Sequence, residues 1–475
     1  MAAPVHLSKL TSALRQLSPP EMEKFEAYLS SPYFEIPAGA LPLFQYLRKF
    51  HPVYDEKKTD PEVIQKKAPA LGNQKRQANY GSDLLKCLEQ FLAIEDFKAT
   101  PDSVDRHRLQ AYKKYHLFEM FNKEHEQLLK ALDQDAEQNF DTFYQRHVLT
   151  ELALSGFDAK LNRTIQNDIL PVIKELDVFY ALKKLYYHCE LRNRQQVLGT
   201  PYQEENIPYI LEVLEPYNNE KFPFVHLFWN VYQMLKAKTF DEGEGYYMSL
   251  KHFFEHTAQS KPTLNVKEVI NYASNYCLYW NSHGYNRAGA EALWWYELKL
   301  KHDLVVETGL IQPSDFRNIV SLSLAHSKPA VWIKQFIDTY SLYLPEEHRD
   351  TNSAFVKAQY HFSQKEYNVA MPLFQQAQVK EEPIFNAVVR RWQFMCLYEQ
   401  DPTNVDLLLD FLSAYEKYIL RNSDALHWAK DIFTKNILYS KKLLKATDNA
   451  KRKQLAENLK SENYFTGKEW LLKFL

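Results

Sequence analysis

Only 11 of the 475 residues are glycine, and that scarcity limits what the chain can fold into more than any other feature. Glycine supplies the positive-φ conformations of two-residue hairpin turns and lets a backbone pass close to a phosphate. A chain this poor in glycine has little means of building tight β-turns or phosphate-cradling loops. Its apolar and aromatic residues, among them 31 Tyr and 29 Phe, recur at spacings of three and four. The stretches "LLLDFLSAYEKYIL" (407–420) and "VWIKQFIDTYSLYL" (331–344) both read as amphipathic helices. No run of alternating β-branched residues stands between turn signals, so a sheet of any size is not expected. The fold class read from these patterns is all-α.

Helix limits are set by prolines and capping residues. Ser18-Pro19-Pro20-Glu21 puts a capping serine ahead of a proline at the first helical position, with a glutamate placed to return the hydrogen bond. A helix follows and ends before Pro32. Asn265 with Glu268 reads as a second capping box, and Asp60-Pro61, Ser314 with Asp315, and Ser423-Asp424 as further openings. Pro372 falls inside an otherwise helical stretch, where it is expected to kink the helix or shift its start. From residue 172 these limits predict six helical pairs: 172–193 with 203–215, 223–236 with 245–258, 265–281 with 285–303, 314–325 with 329–342, 352–363 with 366–378, and 384–399 with 403–421. The period is about 38 to 42 residues, a range in which one hairpin is too thin to bury its own apolar face and must stack on its neighbours.

One pair carries a further pattern. Ala358, Tyr367, Ala370, Phe374 and Ala377 alternate small residues, which let two helices approach, with aromatics that fill the space between hairpins. Their placing resembles the tetratricopeptide repeat, and Trp332, Phe336, Tyr340 and Pro345 repeat it loosely in the preceding pair. Trp332 stands where that pattern has alanine, so the array reads as a divergent one. Three segments, Phe25–Phe34, Glu175–Gln195 and Asp315–Leu324, also resemble an uncharacterised family of bacterial helical-repeat proteins, a likeness that implies the fold and no chemistry. The expected architecture is a right-handed solenoid of stacked helical hairpins, tetratricopeptide-like, over residues 171–475. An N-terminal helical cap region is expected over 1–100, where prolines 32, 37, 42 and 52 break short helices, and an irregular helical connector over 101–170.

Composition narrows the partner classes. Lys plus Arg total 58 against 60 for Asp plus Glu, a balance without the basic footprint of a nucleic-acid binder or the acidity of a solvating tail. The four cysteines, Cys87, Cys189, Cys277 and Cys396, stand too far apart for CxxC metal pairs and too sparse for a disulfide framework. No uninterrupted apolar run reaches the length of a membrane span, and Lys9 and Arg15 interrupt the first apolar stretch. A cytoplasmic protein without a membrane segment is the expectation.

Several motifs invite chemistry. His252-Phe253-Phe254-Glu255-His256 matches HxxEH, in which two helical histidines bind zinc and the glutamate activates water. No third acidic ligand can be assigned, and the two phenylalanines fit a packed helix. "DEGEGYY" (241–247) lacks the ligand spacing of a calcium loop and reads as a solvated turn between helices. "GSDLL" from Gly81 has neither a preceding strand nor a partner base, and reads as a helix cap or surface stretch. Trp294, Trp295 and Tyr296 lack the interleaved cations of a base-stacking platform and read as core. Residues 430–475 hold eleven Lys or Arg and five Asp or Glu; a solvated helix face or a surface for an acidic partner accounts for that excess.

With no phosphate loop, no nucleophile and base, no closed metal-ligand set and no cofactor signature, the expected function is non-catalytic: a protein–protein interaction scaffold or adaptor. Its concave face, formed by the first helix of each hairpin, is expected to bind a peptide or protein segment of unknown identity. If the resemblance to tetratricopeptide repeats holds, the groove-facing residues are Arg317, Ser321, Asn352, Phe355 and Gln359. They do not reproduce the Lys and Asn set with which such repeats clamp a C-terminal carboxylate. Two alternatives stand beside the scaffold: a zinc-dependent hydrolase centred on His252, Glu255 and His256, and a nucleic-acid-associated repeat using the basic C-terminal region.

Overall fold

The computed structural model describes residues 5–136, 138–154, 169–199, 203, 205–257, 264–379, 382–426 and 429–475. These residues form 25 α-helices, three 3-10 turns, and one antiparallel pair of two-residue strands, Val306–Glu307 with Leu310–Ile311. The chain is all-α, in two compact units: Met1–Ala131 with Glu151–Asn167, and Leu132–Thr150 with Asp168–Leu475.

The first unit holds α1 (Val5–Arg15), α2 (Pro19–Leu29), α3 (Ala40–Arg48), α4 (Glu56–Thr59), α5 (Pro61–Lys67), α6 (Gln74–Ala99), α7 (Pro101–Lys114) and most of α8 (Phe118–Gln134). The capping box predicted at Ser18 opens α2, with the Ser18 N–H donating to Glu21 Oε2 at 2.6 Å. Asp60 opens α5, accepting from the Glu62 N–H at 2.8 Å. Helices α1, α2 and α3 all pack on α6 around Phe25, whose ring stands edge-on to Phe44 at 5.0 Å and tilted against Phe91 at 5.1 Å. Each such buried ring stabilises the unit by roughly 1.5–3 kcal/mol through lost apolar exposure.

The second unit continues with α9 (Phe140–Leu154, to Thr150), α10 (Leu170–Leu198), α11 (Ile207–Leu214), α12 (Pro223–Lys236), α13 (Phe240–Thr257), α14 (Leu264–Ser282) and α15 (Asn286–Lys301). After the strand pair come α16 (Pro313–Ala325), α17 (Ala330–Tyr340), α18 (Glu346–Ser363), α19 (Tyr367–Gln376), α20 (Pro383–Gln400) and α21 (Val405–Arg421). The last are α22 (Ser423–Leu426), α23 (Lys430–Lys445), α24 (Asn449–Ser461) and α25 (Lys468–Leu472). Consecutive helices pack in pairs, α12 on α13, α14 on α15, α16 on α17, α18 on α19 and α20 on α21, while α10 also packs on α12 and α14, α12 on α14, α16 on α18 and α18 on α20.

Hydrogen bonds between those first helices give their direction. Cys189 reaches the Phe228 carbonyl and Gln196 the Leu235 carbonyl, both 39 residues on. Tyr186 bonds Glu268, Glu190 accepts from Tyr272, and Asn193 accepts from Asn275, each across 82 residues. Partners advance together along the chain, so α10, α12 and α14 run parallel. Of the alternating small and aromatic residues, Ala358, Ala370, Phe374 and Ala377 have no exposure, while Tyr367 is half-buried.

Three local expectations give way, and Pro372 does not stop its helix. "DEGEGYY" is not a turn but lies inside α13, where Gly243 faces the buried Tyr276 so closely that a Cβ would stand 2.2 Å from its hydroxyl. "GSDLL" lies inside α6, with Gly81 buried rather than capping. Helices α14 and α16 begin at Leu264 and Pro313, so Asn265 and Ser314 sit in first turns rather than at caps. Helix α19 starts at Tyr367 and runs through Pro372, whose missing N–H leaves the Asn368 carbonyl without its helical donor.

Candidate docking cavity

Four of the five residues expected to face a groove line one cavity of about 530 Å³ in the second unit: Arg317, Ser321, Phe355 and Gln359. The fifth, Asn352, is buried beside it and accepts a hydrogen bond from Arg317 Nη1 at 2.6 Å through its Oδ1. Three helices build most of this space, and Ala425 of α22 completes its lining. Helix α16 brings Arg317, Asn318 and Ser321, α18 brings Phe355 and Gln359, and α20 brings Pro383, Phe385, Val388, Arg391 and Trp392, with Glu382 at its head.

The helices present these side chains because each turns its apolar stripe into the core and leaves a polar edge toward the next first helix. On α16, Phe316, Ile319 and Val320 are buried, which puts Arg317, Asn318 and Ser321 one step around the helix. Asp315 fixes its first turn, taking Lys299 Nζ at 3.2 Å and the Tyr296 hydroxyl at 3.1 Å from α15. Asn318 adds a donor to the same hydroxyl at 3.1 Å. On α18, Asn352, Phe355 and Gln359 follow at helical spacing, and the Ser321 hydroxyl donates to Gln359 Oε1 at 3.0 Å.

The polar groove residues are therefore spent largely on one another. Arg317 donates to Asn352, stacks over the Phe385 ring at 4.4 Å, and stands 3.9 Å from Glu382. Phe355 is only 3% exposed; its ring meets Phe385 edge-on at 5.0 Å and Phe374 at 6.1 Å. It is a core residue with one edge on the cavity rather than a free anchor. Sequence reasoning missed the whole contribution of α20, including Phe385, Trp392 and Arg391.

The other candidates fall elsewhere. His252, Glu255 and His256 are exposed on α13, and His256 Nδ1 bonds its own helix at the His252 carbonyl, 2.9 Å away. Among the described residues no group of three or more His, Cys, Asp or Glu comes together in a metal-holding arrangement. Between the histidines, Phe254 is buried against Trp295 at 5.3 Å. Trp295 and Tyr296 are core residues, as expected, whereas Trp294 is half-buried with Lys251 Nζ 5.0 Å from its ring. The basic C-terminal stretch is partly neutralised: Lys441 pairs with Glu416 at 2.6 Å, Lys435 with Glu462 at 3.0 Å and Lys451 with Asp448 at 3.2 Å. Lys468 turns inward to the Lys460 and Glu462 carbonyls. All four cysteines are free and buried, and burial pushes the Cys396 thiol up to about 11, so it is held protonated at neutral pH. No described helix is long and apolar enough to cross a membrane.

No protein-family model matches the chain. No curated protein and no solved structure matches it either.

Proposed function

We propose that the protein is a non-catalytic interaction scaffold whose second unit is a right-handed, tetratricopeptide-like solenoid, and that it grips a segment of a protein partner in the cavity between α16, α18 and α20. The observation that carries this reading is the origin of the cavity: three first helices, from three consecutive hairpins, supply all of its described lining but Ala425 of α22 and Glu382 at the head of α20. Stacked hairpins bind partners on that face because it is the one a neighbouring hairpin leaves open. The lining supports it further, since aromatic and aliphatic walls with a few fixed polar groups suit an extended or helical segment anchored by one side chain.

Ile384 gives a clean test because it lines the cavity yet is 37% exposed, so Ile384→Asp changes the lining without opening the core. Affinity capture with the full-length protein is expected to recover a partner that the Ile384→Asp variant loses, at unchanged helical content. Equal recovery by both proteins, together with a hydrolytic activity that His252→Ala abolishes, would sink the scaffold reading.

A further inference from the structure

Three charged side chains line the cavity, and two of them face each other. Arg317 and Glu382 stand 3.9 Å apart, Glu382 lies 4.0 Å from His348 Nδ1, and Arg317 also holds Asn352. Arg391 has no such arrangement. It is 8% exposed, its Nε is buried without a hydrogen-bonding partner, and among the described residues it makes no ion pair. Its stem runs past Gly467, where a Cβ would stand 3.6 Å from Cδ, and its guanidinium lies 5.8 Å from the Trp392 ring. Burial pulls its proton affinity down, yet a guanidinium does not deprotonate in a protein. The fold therefore carries a buried, permanent cation that nothing among the described residues neutralises, and such a group weakens a fold unless an anion joins it.

Resting on the segment-binding reading above, we propose that the cavity accepts one acidic side chain, aspartate or glutamate, of the bound partner segment. Its carboxylate pairs with Arg391, and the apolar residue beside it lies against Phe385 and Trp392. The charge balance selects this anion. Among the described lining residues, two arginines and one glutamate leave a single excess positive charge, which matches a carboxylate and not a doubly charged phosphate. The geometry of the walls selects a side chain on a segment: three aromatic rings, Phe355, Phe385 and Trp392, supply apolar contact that a free small anion does not use. The guanidinium fork accepts a carboxylate through two parallel hydrogen bonds, and these are strong where water is excluded.

The probe is a pool of N-acetylated, C-amidated peptides with one central glutamate between randomised apolar residues, compared with the same pool carrying glutamine. Retention on immobilised full-length protein is expected to favour the glutamate pool by at least about tenfold. Arg391→Met is expected to erase that preference without lowering the unfolding midpoint, because methionine fills a buried site without a charge to neutralise. Arg391→Lys, which keeps the charge and loses the fork, is expected to retain part of the preference and carries the test if the methionine variant fails to fold. Equal retention of the two pools overturns the carboxylate assignment and leaves segment binding standing; retention of neither overturns both. A preference unchanged in Arg391→Met, or displacement of the glutamate pool by equimolar inorganic phosphate, likewise overturns it.

Discussion

Two glycines two residues apart on α13 should respond to alanine in opposite directions. Gly243 is buried, and a Cβ there would stand 2.2 Å from the Tyr276 hydroxyl, 3.0 Å from Tyr276 Cζ and 3.1 Å from Ala237 Cβ. Tyr276 cannot move away cheaply: it is fully buried, stacked on Phe240 at 5.6 Å, and donates to the Phe240 carbonyl at 3.2 Å. Displacing it overpacks the core at about 1–3 kcal/mol and strains or breaks a buried hydrogen bond at about 1 kcal/mol. Helix propensity returns only about 1 kcal/mol when alanine replaces glycine. Gly243→Ala is therefore expected to destabilise by roughly 1–3 kcal/mol. Gly245 has nothing within 4 Å of its added Cβ, so Gly245→Ala keeps the propensity gain and is expected to stabilise by about 1 kcal/mol. Urea unfolding followed by far-ultraviolet circular dichroism reads both. If the two variants shift the midpoint the same way, the helix through "DEGEGYY" or its approach to Tyr276 is wrong.

Two further outcomes test the packing and the electrostatics. Phe355→Ala is expected to cost about 3–5 kcal/mol, since its ring is buried against Phe374 and Phe385; a loss under about 1 kcal/mol would show an exposed groove anchor instead. Burial holds the His226 ring below its ordinary value of 6.5, with Asn230 donating to Nε2 at 3.1 Å and Nδ1 bonded to Asn218 at 2.8 Å. The unfolded chain therefore takes up the proton first, so this contribution is whole above pH 6.5 and is lost as pH falls toward the folded-state value. His226→Gln should flatten the fall in urea midpoint between neutral pH and about pH 5, and an unchanged slope would count against the neutral ring.

The helical pairs were legible because their signals are local. The predicted 223–236 is Pro223–Lys236, and the predicted 384–399 is Pro383–Gln400, since proline at the first position and an apolar stripe at period 3.6 both lie within the helix itself. The start of α18 was not legible. "EEHRDT" extends that helix back to Glu346 with polar residues all round, and a stretch without an apolar stripe carries no period to read. Gly243 failed for a different reason. A glycine that relieves a turn and a glycine that admits a tyrosine look alike in one dimension, and the tyrosine lies on the next helix. In the cavity, Arg317, Ser321 and Gln359 came from the repeat register, whereas Arg391 did not. Its one signal was a charged pair inside the apolar run "NAVVRRWQF", which reads equally well as a solvated edge until Arg391 is found buried.

Polar bonds between parallel first helices explain why residues such as Arg317 and Ser321 can be structural and still line the cavity. Apolar packing is not directional, and two parallel helices with similar stripes can slide by a turn at modest cost. The bonds Tyr186–Glu268, Glu190–Tyr272 and Asn193–Asn275 hold one offset of 82 residues, and a slip breaks all three at once. Each contributes only about 1 kcal/mol when made, but each group left buried and unpaired costs about 1–3 kcal/mol. The slipped stack is therefore penalised several times more than the correct one is favoured. Arg317–Asn352 and Ser321–Gln359 act the same way between α16 and α18. A polar group engaged in fixing that offset has little capacity left for a ligand. On the proposed reading, recognition then falls to a group that the offset does not use, and Arg391 on α20 is such a group within the cavity.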